Sequence, residues 1–87
     1  MVSEKARAII QHLQAVISDD YGQEARKLEF EIGLERYNET VEYLTSLNIL
    51  ESVKFESGKY RTNFKNQPNK NAILELIEKL EKQELIV

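Results

Sequence analysis

The chain has 87 residues and a formal net charge of −3, with 15 acidic and 12 basic residues, one histidine and no cysteine. Such a length holds one domain at most, because two halves would each be too short to bury a stable core. The lack of cysteine excludes disulfides, cysteine-bound zinc and thiol nucleophiles, and a single histidine leaves a transition-metal site short of its usual ligands.

The first 18 residues carry no targeting signal, because Glu4, Lys5 and Arg7 interrupt their apolar positions. No apolar run approaches the ~18 residues that a membrane-spanning helix needs. The glycines stand singly, so no glycine-rich phosphate loop is present. We therefore expect a cytoplasmic protein that binds no membrane and no cofactor.

A first helix is predicted over residues 3–18. Apolar residues from Val2 to Ile17 recur at spacings of three and four, which traces one stripe of an α-helix. Ser3 is predicted to cap this helix, and the polar segment 18–22 is predicted to end it.

A second helix is predicted over about residues 23–32, with Gly33 as its C-terminal stop. A third helix is predicted to run from about residue 35 or 38 to residue 47. Asn38 is a typical N-cap, which favours the later start and leaves residues 34–37 in the turn.

Residues 51–64 alternate polar side chains with apolar or β-prone ones, which predicts two strands joined by a two-residue turn at Ser57 and Gly58. This register places Phe55 opposite Tyr60, so the aromatic side chains are expected to meet on one face. The other pairs that it predicts are Glu56 with Lys59 and Val53 with Thr62.

Residues 65–71 are polar and rich in helix breakers, so they are predicted to form a loop, and the last helix begins near residues 69–71. Two favourable i,i+4 charge pairs are expected on it, Glu75 with Lys79 and Glu78 with Lys82. Its apolar stripe has two interpretations, packing on helix one of the same chain or forming a dimer interface. The stripe consists of Ile73, Leu76, Ile77 and Leu80.

The order of elements is three helices, a hairpin and a final helix. Two stretches carry a resemblance to the winged helix-turn-helix superfamily, Ala25-x2-Leu28-x3-Ile32-Gly33-Leu34 and Val41-x2-Leu44-x2-Leu47-Asn48-Ile49-Leu50-Glu51. The resemblance implies a mainly α fold with a small β-hairpin, the wing. It implies a winged-helix domain over residues 1–66 and a C-terminal helix over residues 67–87, which packs on the domain or forms a dimer.

Basic charge is concentrated around the hairpin, because residues 53–70 carry five bases and one acid whereas residues 1–52 carry ten acids and five bases. In similar proteins helix three enters the major groove of DNA and the wing contacts phosphates. The resemblance therefore implies double-stranded DNA as a partner. Eight candidate contact residues follow from it: Arg36, Tyr37, Asn38, Thr40, Lys54, Lys59, Arg61 and Lys65.

Two functions fit these features. The first is a transcriptional regulator that binds DNA, as a homodimer if the last helix forms the dimer interface. The second is a protein-interaction module, because Glu35, Glu39 and Glu42 give helix three an acidic face that suits a protein partner better than phosphates. An enzyme is disfavoured, since the sequence offers no nucleophile–base pair and His12 has no recognisable catalytic partner.

Overall fold

Four α-helices and one antiparallel hairpin make up the fold in a computed structural model that describes residues 2–65, 68–85 and 87. This architecture confirms the predicted fold class, mainly α with a small β-hairpin. The predicted domain boundary between residues 66 and 67 lies outside the described residues. Among the described helices, none is both long and apolar enough to cross a membrane. In chain order the elements are α1 Glu4–Val16, α2 Tyr21–Ile32, α3 Leu34–Ser46, β1 Leu50–Lys54, β2 Tyr60–Phe64 and α4 Lys70–Glu81.

Helix α1 begins where the sequence predicts. The Ser3 hydroxyl accepts a hydrogen bond from the Ala6 amide at 3.1 Å, which satisfies one of the unpaired amides of the first turn. The predicted apolar stripe is buried, and Ile9 and Leu13 have no exposed surface. The helix ends at Val16 rather than at residue 18.

Helix α2 begins at Tyr21, slightly earlier than predicted. The Asp20 carboxylate accepts a hydrogen bond from the Gln23 amide at 3.2 Å and so caps the helix. A carboxylate at this position also interacts favourably with the helix dipole. The segment that ends α1 therefore also starts α2.

Gly33 alone connects α2 to α3. Its amide donates to the Glu29 carbonyl at 2.9 Å, and its carbonyl accepts from the Tyr37 amide at 3.0 Å, so it ends one helix and starts the next. Its φ of +87° is accessible to glycine without the steric cost that a side chain brings. Of the two predicted starts of α3, the one near residue 35 is confirmed and the one at Asn38 is wrong, because the helix begins at Leu34.

The register of the hairpin differs by one residue from the prediction. In the structure Val53 pairs with Arg61, and Lys54 pairs with Tyr60. Side chains alternate between the two faces of a strand, so a shift of one residue changes which side chains of β1 and β2 lie on the same face. Three predicted pairs are therefore wrong: Phe55 with Tyr60, Val53 with Thr62 and Glu56 with Lys59.

The cause of the shift is a loop of three residues, 56–58, where two were predicted. The Phe55 amide donates to the Lys59 carbonyl at 2.8 Å, which makes these two residues the last pair of the ladder. The Gly58 amide donates to the Phe55 carbonyl at 2.9 Å, and Gly58 has a φ of +90°. A turn followed by a residue with positive φ is typical of three-residue hairpin loops.

Helix α4 shares the main core with α1, α3 and β1, rather than standing apart from them. Of the residues predicted for a dimer interface, Ile73, Ile77 and Leu80 are buried in their own chain, and Leu76 is half-buried against the same core. The structure thus shows the intramolecular packing, which corrects the dimer interpretation for the buried side chains Ile73, Ile77 and Leu80. A dimer contact through Leu76 stays a prediction. Both i,i+4 charge pairs are confirmed, at 3.8 Å for Glu75 with Lys79 and 2.6 Å for Glu78 with Lys82.

Candidate nucleic-acid interface

Two of the four α3 residues predicted to contact DNA lie inside the domain. Tyr37 is 6% exposed and Thr40 has no exposed surface, so the expectation that these side chains reach DNA is corrected. Arg36 lies near the surface, but its guanidinium is 3.6 Å from the Glu4 carboxylate and 3.4 Å from that of Glu39. Its charge is therefore already balanced within the protein.

The fourth residue, Asn38, helps to hold the hairpin against α3. Positions 38, 42 and 45 lie on one side of the helix, and each makes a side-chain hydrogen bond to the hairpin. The hairpin therefore lies along α3 and covers this side. The bonds join Asn38 Nδ2 to the Gly58 carbonyl at 2.8 Å, the Glu42 carboxylate to the Tyr60 hydroxyl at 3.1 Å, and Thr45 Oγ1 to Ser52 Oγ at 3.2 Å.

The side of α3 that neither the core nor the hairpin covers is acidic. Helical spacing places Glu35, Glu39 and Ser46 together on this side. Glu35 and Ser46 are exposed, and Glu39 is half-buried. Because carboxylates repel phosphates, this side of α3 is poorly suited to enter a DNA groove.

The outer face of the hairpin, as we call the side formed by Val53, Phe55, Lys59 and Arg61, points away from the helices. Towards the base of the hairpin the same side continues with the exposed pair Glu51 and Asn63. The ladder places Val53 beside Arg61 and Phe55 beside Lys59. All four are exposed, with 61% of Val53 and 50% of Phe55 accessible. The three-residue loop thus brings two cations next to two exposed apolar side chains, which the predicted register did not do.

The four hairpin cations predicted to bind DNA make no ion pair with any carboxylate in the described part of the chain. These four are Lys54, Lys59, Arg61 and Lys65, and all are exposed. By contrast, all the ion pairs found there use cations of the helices, namely Lys27, Arg36, Lys79 and Lys82. Exposed cations without a carboxylate partner are available to phosphate oxygens.

Two of these cations have weak polar contacts of their own. The Lys54 ammonium lies 5.7 Å from the centre of the Tyr60 ring, on the opposite side of the hairpin from the outer face. The Lys65 ammonium donates to the Asn48 side-chain oxygen at 3.3 Å, near the base of the hairpin. Neither contact neutralises the charge, so both ammonium groups add to the positive potential of the hairpin.

A buried chain of hydrogen bonds links the hairpin to three helices. His12 of α1 has no exposed surface, and its ring nitrogens lie 2.7 Å from Thr40 Oγ1 and 2.8 Å from the Tyr21 hydroxyl. The Tyr21 oxygen in turn lies 3.1 Å from Thr62 Oγ1 of β2. His12 is thus a buried structural residue, and no local pattern in the sequence predicted these partners.

The donor in each bond of this chain follows from Thr40. Its hydroxyl donates to the Tyr37 carbonyl at 2.6 Å, so its oxygen accepts from the other side, and we assign the proton to His12 Nδ1. The other ring nitrogen then accepts from Tyr21, whose oxygen accepts from Thr62. Burial lowers the pKa of His12 to about 4, so the ring is neutral at pH 7, as this assignment requires.

Phe30 of α2 is a second exposed feature that the sequence did not reveal. Its side chain is 92% exposed, and the same surface carries Gln23, Arg26 and Lys27. The sequence gives one indication of its exposure, because Phe30 does not share the helical spacing of the buried residues of α2. Its neighbours on this surface are polar or charged, so Phe30 is a single exposed aromatic side chain rather than part of an apolar patch.

The chain significantly matches no protein-family model, no curated protein and no solved structure. Within the described ranges, no three histidine, aspartate or glutamate side chains form a group that could hold a metal ion. The candidate interface therefore rests on the geometry and charge of the residues described above.

Proposed function

We propose that this protein is a winged-helix-like DNA-binding protein that acts as a transcriptional regulator and contacts the phosphate backbone through its hairpin. The observation that carries the proposal is the concentration of four exposed cations without a carboxylate partner in one hairpin. The other unpaired cations of the described chain are spread over three helices: Lys5, Arg7, Arg26 and Lys70. The resemblance of the sequence to winged helix-turn-helix domains supports the same function.

The hairpin, rather than α3, supplies the contacts in this proposal. The hairpin covers one side of α3, and the uncovered side carries Glu35 and Glu39. Contacts to phosphates position a protein on DNA but carry no sequence information directly. The expected binding is therefore salt-sensitive and weakly dependent on base sequence. A homodimer doubles the phosphate contacts, and it uses a surface other than the buried stripe of α4.

The salt dependence follows from the number of cations. Each phosphate contact on duplex DNA contributes about −0.9 to the slope of log K against log salt concentration. Four hairpin cations, Lys54, Lys59, Arg61 and Lys65, thus give an expected slope of about −3.6 for one copy. Two copies bound together raise the magnitude of this slope.

The test compares two double variants that remove the same charge from different places. Lys59→Ala/Arg61→Ala removes two unpaired hairpin cations, and Lys79→Ala/Lys82→Ala removes two paired cations of α4. Fluorescence anisotropy with a labelled duplex at increasing salt is expected to show weaker binding and a slope smaller by about 2 for the hairpin variant only. Absence of binding by the wild-type protein at micromolar concentration in about 50 mM salt would refute the proposal.

A second candidate function is a protein-interaction module, and the exposure of Phe30 is the observation that favours it. Because Phe30 lies outside the described core, Phe30→Ser is expected to fold like the wild type. Under this function Phe30→Ser loses the protein partner, and Lys59→Ala/Arg61→Ala keeps it. Sedimentation velocity of the wild type and Phe30→Ser tests whether that partner is a second copy of the chain.

A further inference from the structure

We infer that the outer face of the hairpin binds single-stranded nucleic acid in preference to a duplex. In this arrangement Phe55 stacks on a base while Lys59 and Arg61 contact phosphates of the same strand. The inference rests on the proposed function, because it assigns the form of nucleic acid that the same surface prefers.

Phe55 has the position of a stacking platform. Its side chain is 50% exposed and belongs to neither apolar cluster of the core. The backbone bond from Phe55 to Lys59 at 2.8 Å makes the two residues cross-strand neighbours on the outer face. Single-stranded nucleic acids are typically bound by a basic surface that follows the backbone and by aromatic rings that stack on bases.

Val53 and Arg61 repeat this combination at the next pair on the same face. They are directly opposite each other in the ladder, and 61% of Val53 is exposed. An apolar side chain therefore lies beside a cation at both positions. A single strand with accessible bases can contact both the apolar side chain and the cation of each pair. A backbone whose bases are not accessible contacts only the cation.

A duplex fits the outer face less well for two reasons. Its bases are stacked inside the helix, so Phe55 has no base face within reach. A duplex is also wider than the strand separation of about 5 Å in a hairpin, so it extends beyond the outer face. A duplex that covers the whole outer face then also meets the exposed carboxylate of Glu51, which repels its phosphates.

Four labelled probes of equal length test the inference by anisotropy: oligo-dT, oligo-rU, a mixed-sequence duplex and an abasic strand that has the backbone without bases. The wild type is expected to bind oligo-dT or oligo-rU at least about tenfold more tightly than the duplex and the abasic strand. The comparison of oligo-dT with oligo-rU shows whether the outer face binds DNA or RNA more tightly.

Phe55→Ala is the decisive variant, and Phe30→Ala is its matched control, because it removes the other strongly exposed phenylalanine. Phe55→Ala is expected to weaken binding of the single strands about tenfold and to leave the abasic strand unchanged, while Phe30→Ala changes neither. Phe55→Trp is expected to keep the binding and to show quenched tryptophan fluorescence on saturation with oligo-dT.

Two outcomes overturn the inference while the proposed function stands. One is binding of the duplex as tightly as the single strands, and the other is an unchanged single-strand affinity in Phe55→Ala with its circular dichroism spectrum intact. If the wild type binds none of the four probes, both fail. Binding of the single strands without any binding of the duplex refutes the proposed duplex binding and leaves the preference for single strands standing, so the two failures are distinguishable.

Discussion

Moderate acid is expected to destabilise the protein through His12. The folded chain holds this ring with a pKa of about 4, against an ordinary value of 6.5, because burial disfavours the charged form. Below pH 6.5 the unfolded chain therefore binds a proton that the folded chain excludes. The contribution to stability is fully present above pH 6.5 and is lost as the pH falls towards 4.

The size of the effect follows from the two pKa values, about 4 folded and 6.5 unfolded. Their difference corresponds to about 3 kcal/mol when the loss is complete. The linkage relation gives a loss of about 2 kcal/mol between pH 7 and pH 5, before most carboxylates titrate. For a domain of this size, that is a large share of the free energy of unfolding.

Urea denaturation followed by circular dichroism at pH 7, 6 and 5 measures this loss. His12→Gln is the control, because its side chain can hydrogen-bond but does not titrate, so its stability is expected to change little over this range. The chain has one histidine, so its ring proton signals in NMR spectra are unambiguous. Equal pH dependence of wild type and His12→Gln, or an NMR titration of His12 near its ordinary pKa, would refute the reasoning.

Two further substitutions test the loop and the last helix. Gly58→Ala forces a side chain into a backbone with a φ of +90°, so it is expected to lower stability by about 1 kcal/mol, seen as a lower melting temperature than that of Ser57→Ala. Leu80→Ala removes a side chain without exposed surface and is expected to lower the free energy of unfolding by roughly 2–5 kcal/mol, measured by urea denaturation. Leu74→Ala, at a site that is 45% exposed, is expected to lower it much less. Equal effects of Leu80→Ala and Leu74→Ala would show that α4 is not part of the core.

The helices were predictable because their signals are local. Ser3 caps α1 as predicted, and Asn69 caps α4 within the predicted range, since each bonds an amide three residues ahead. The start of α3 was not predictable from the cap signal, because the side-chain amide of Asn38 donates to the Gly58 carbonyl of the hairpin instead of capping the helix. A residue type that suits a cap also suits a long-range contact, and the sequence does not show which one forms.

The candidate site was predictable in its charge but not in its geometry. Counting charges identified the hairpin as basic, and its cations are exposed in the structure. Which side chains accompany Lys59 and Arg61 depends on whether the loop has two or three residues, and Gly58 is compatible with both. The buried Thr40 hydroxyl bonds to His12, which is 28 residues away in the sequence, so no local pattern revealed its position.

The bonds between α3 and the hairpin make the outer face a property of the whole domain. An isolated two-stranded hairpin is marginally stable in water at best, so a peptide of residues 50–64 would not keep the strands that align its side chains. Grafting these residues onto another scaffold would transfer the charges without the alignment. Proteolysis that removes the helices is therefore expected to leave a peptide that attracts phosphates by charge but lacks the aligned outer face, and the protein loses this surface whenever it unfolds.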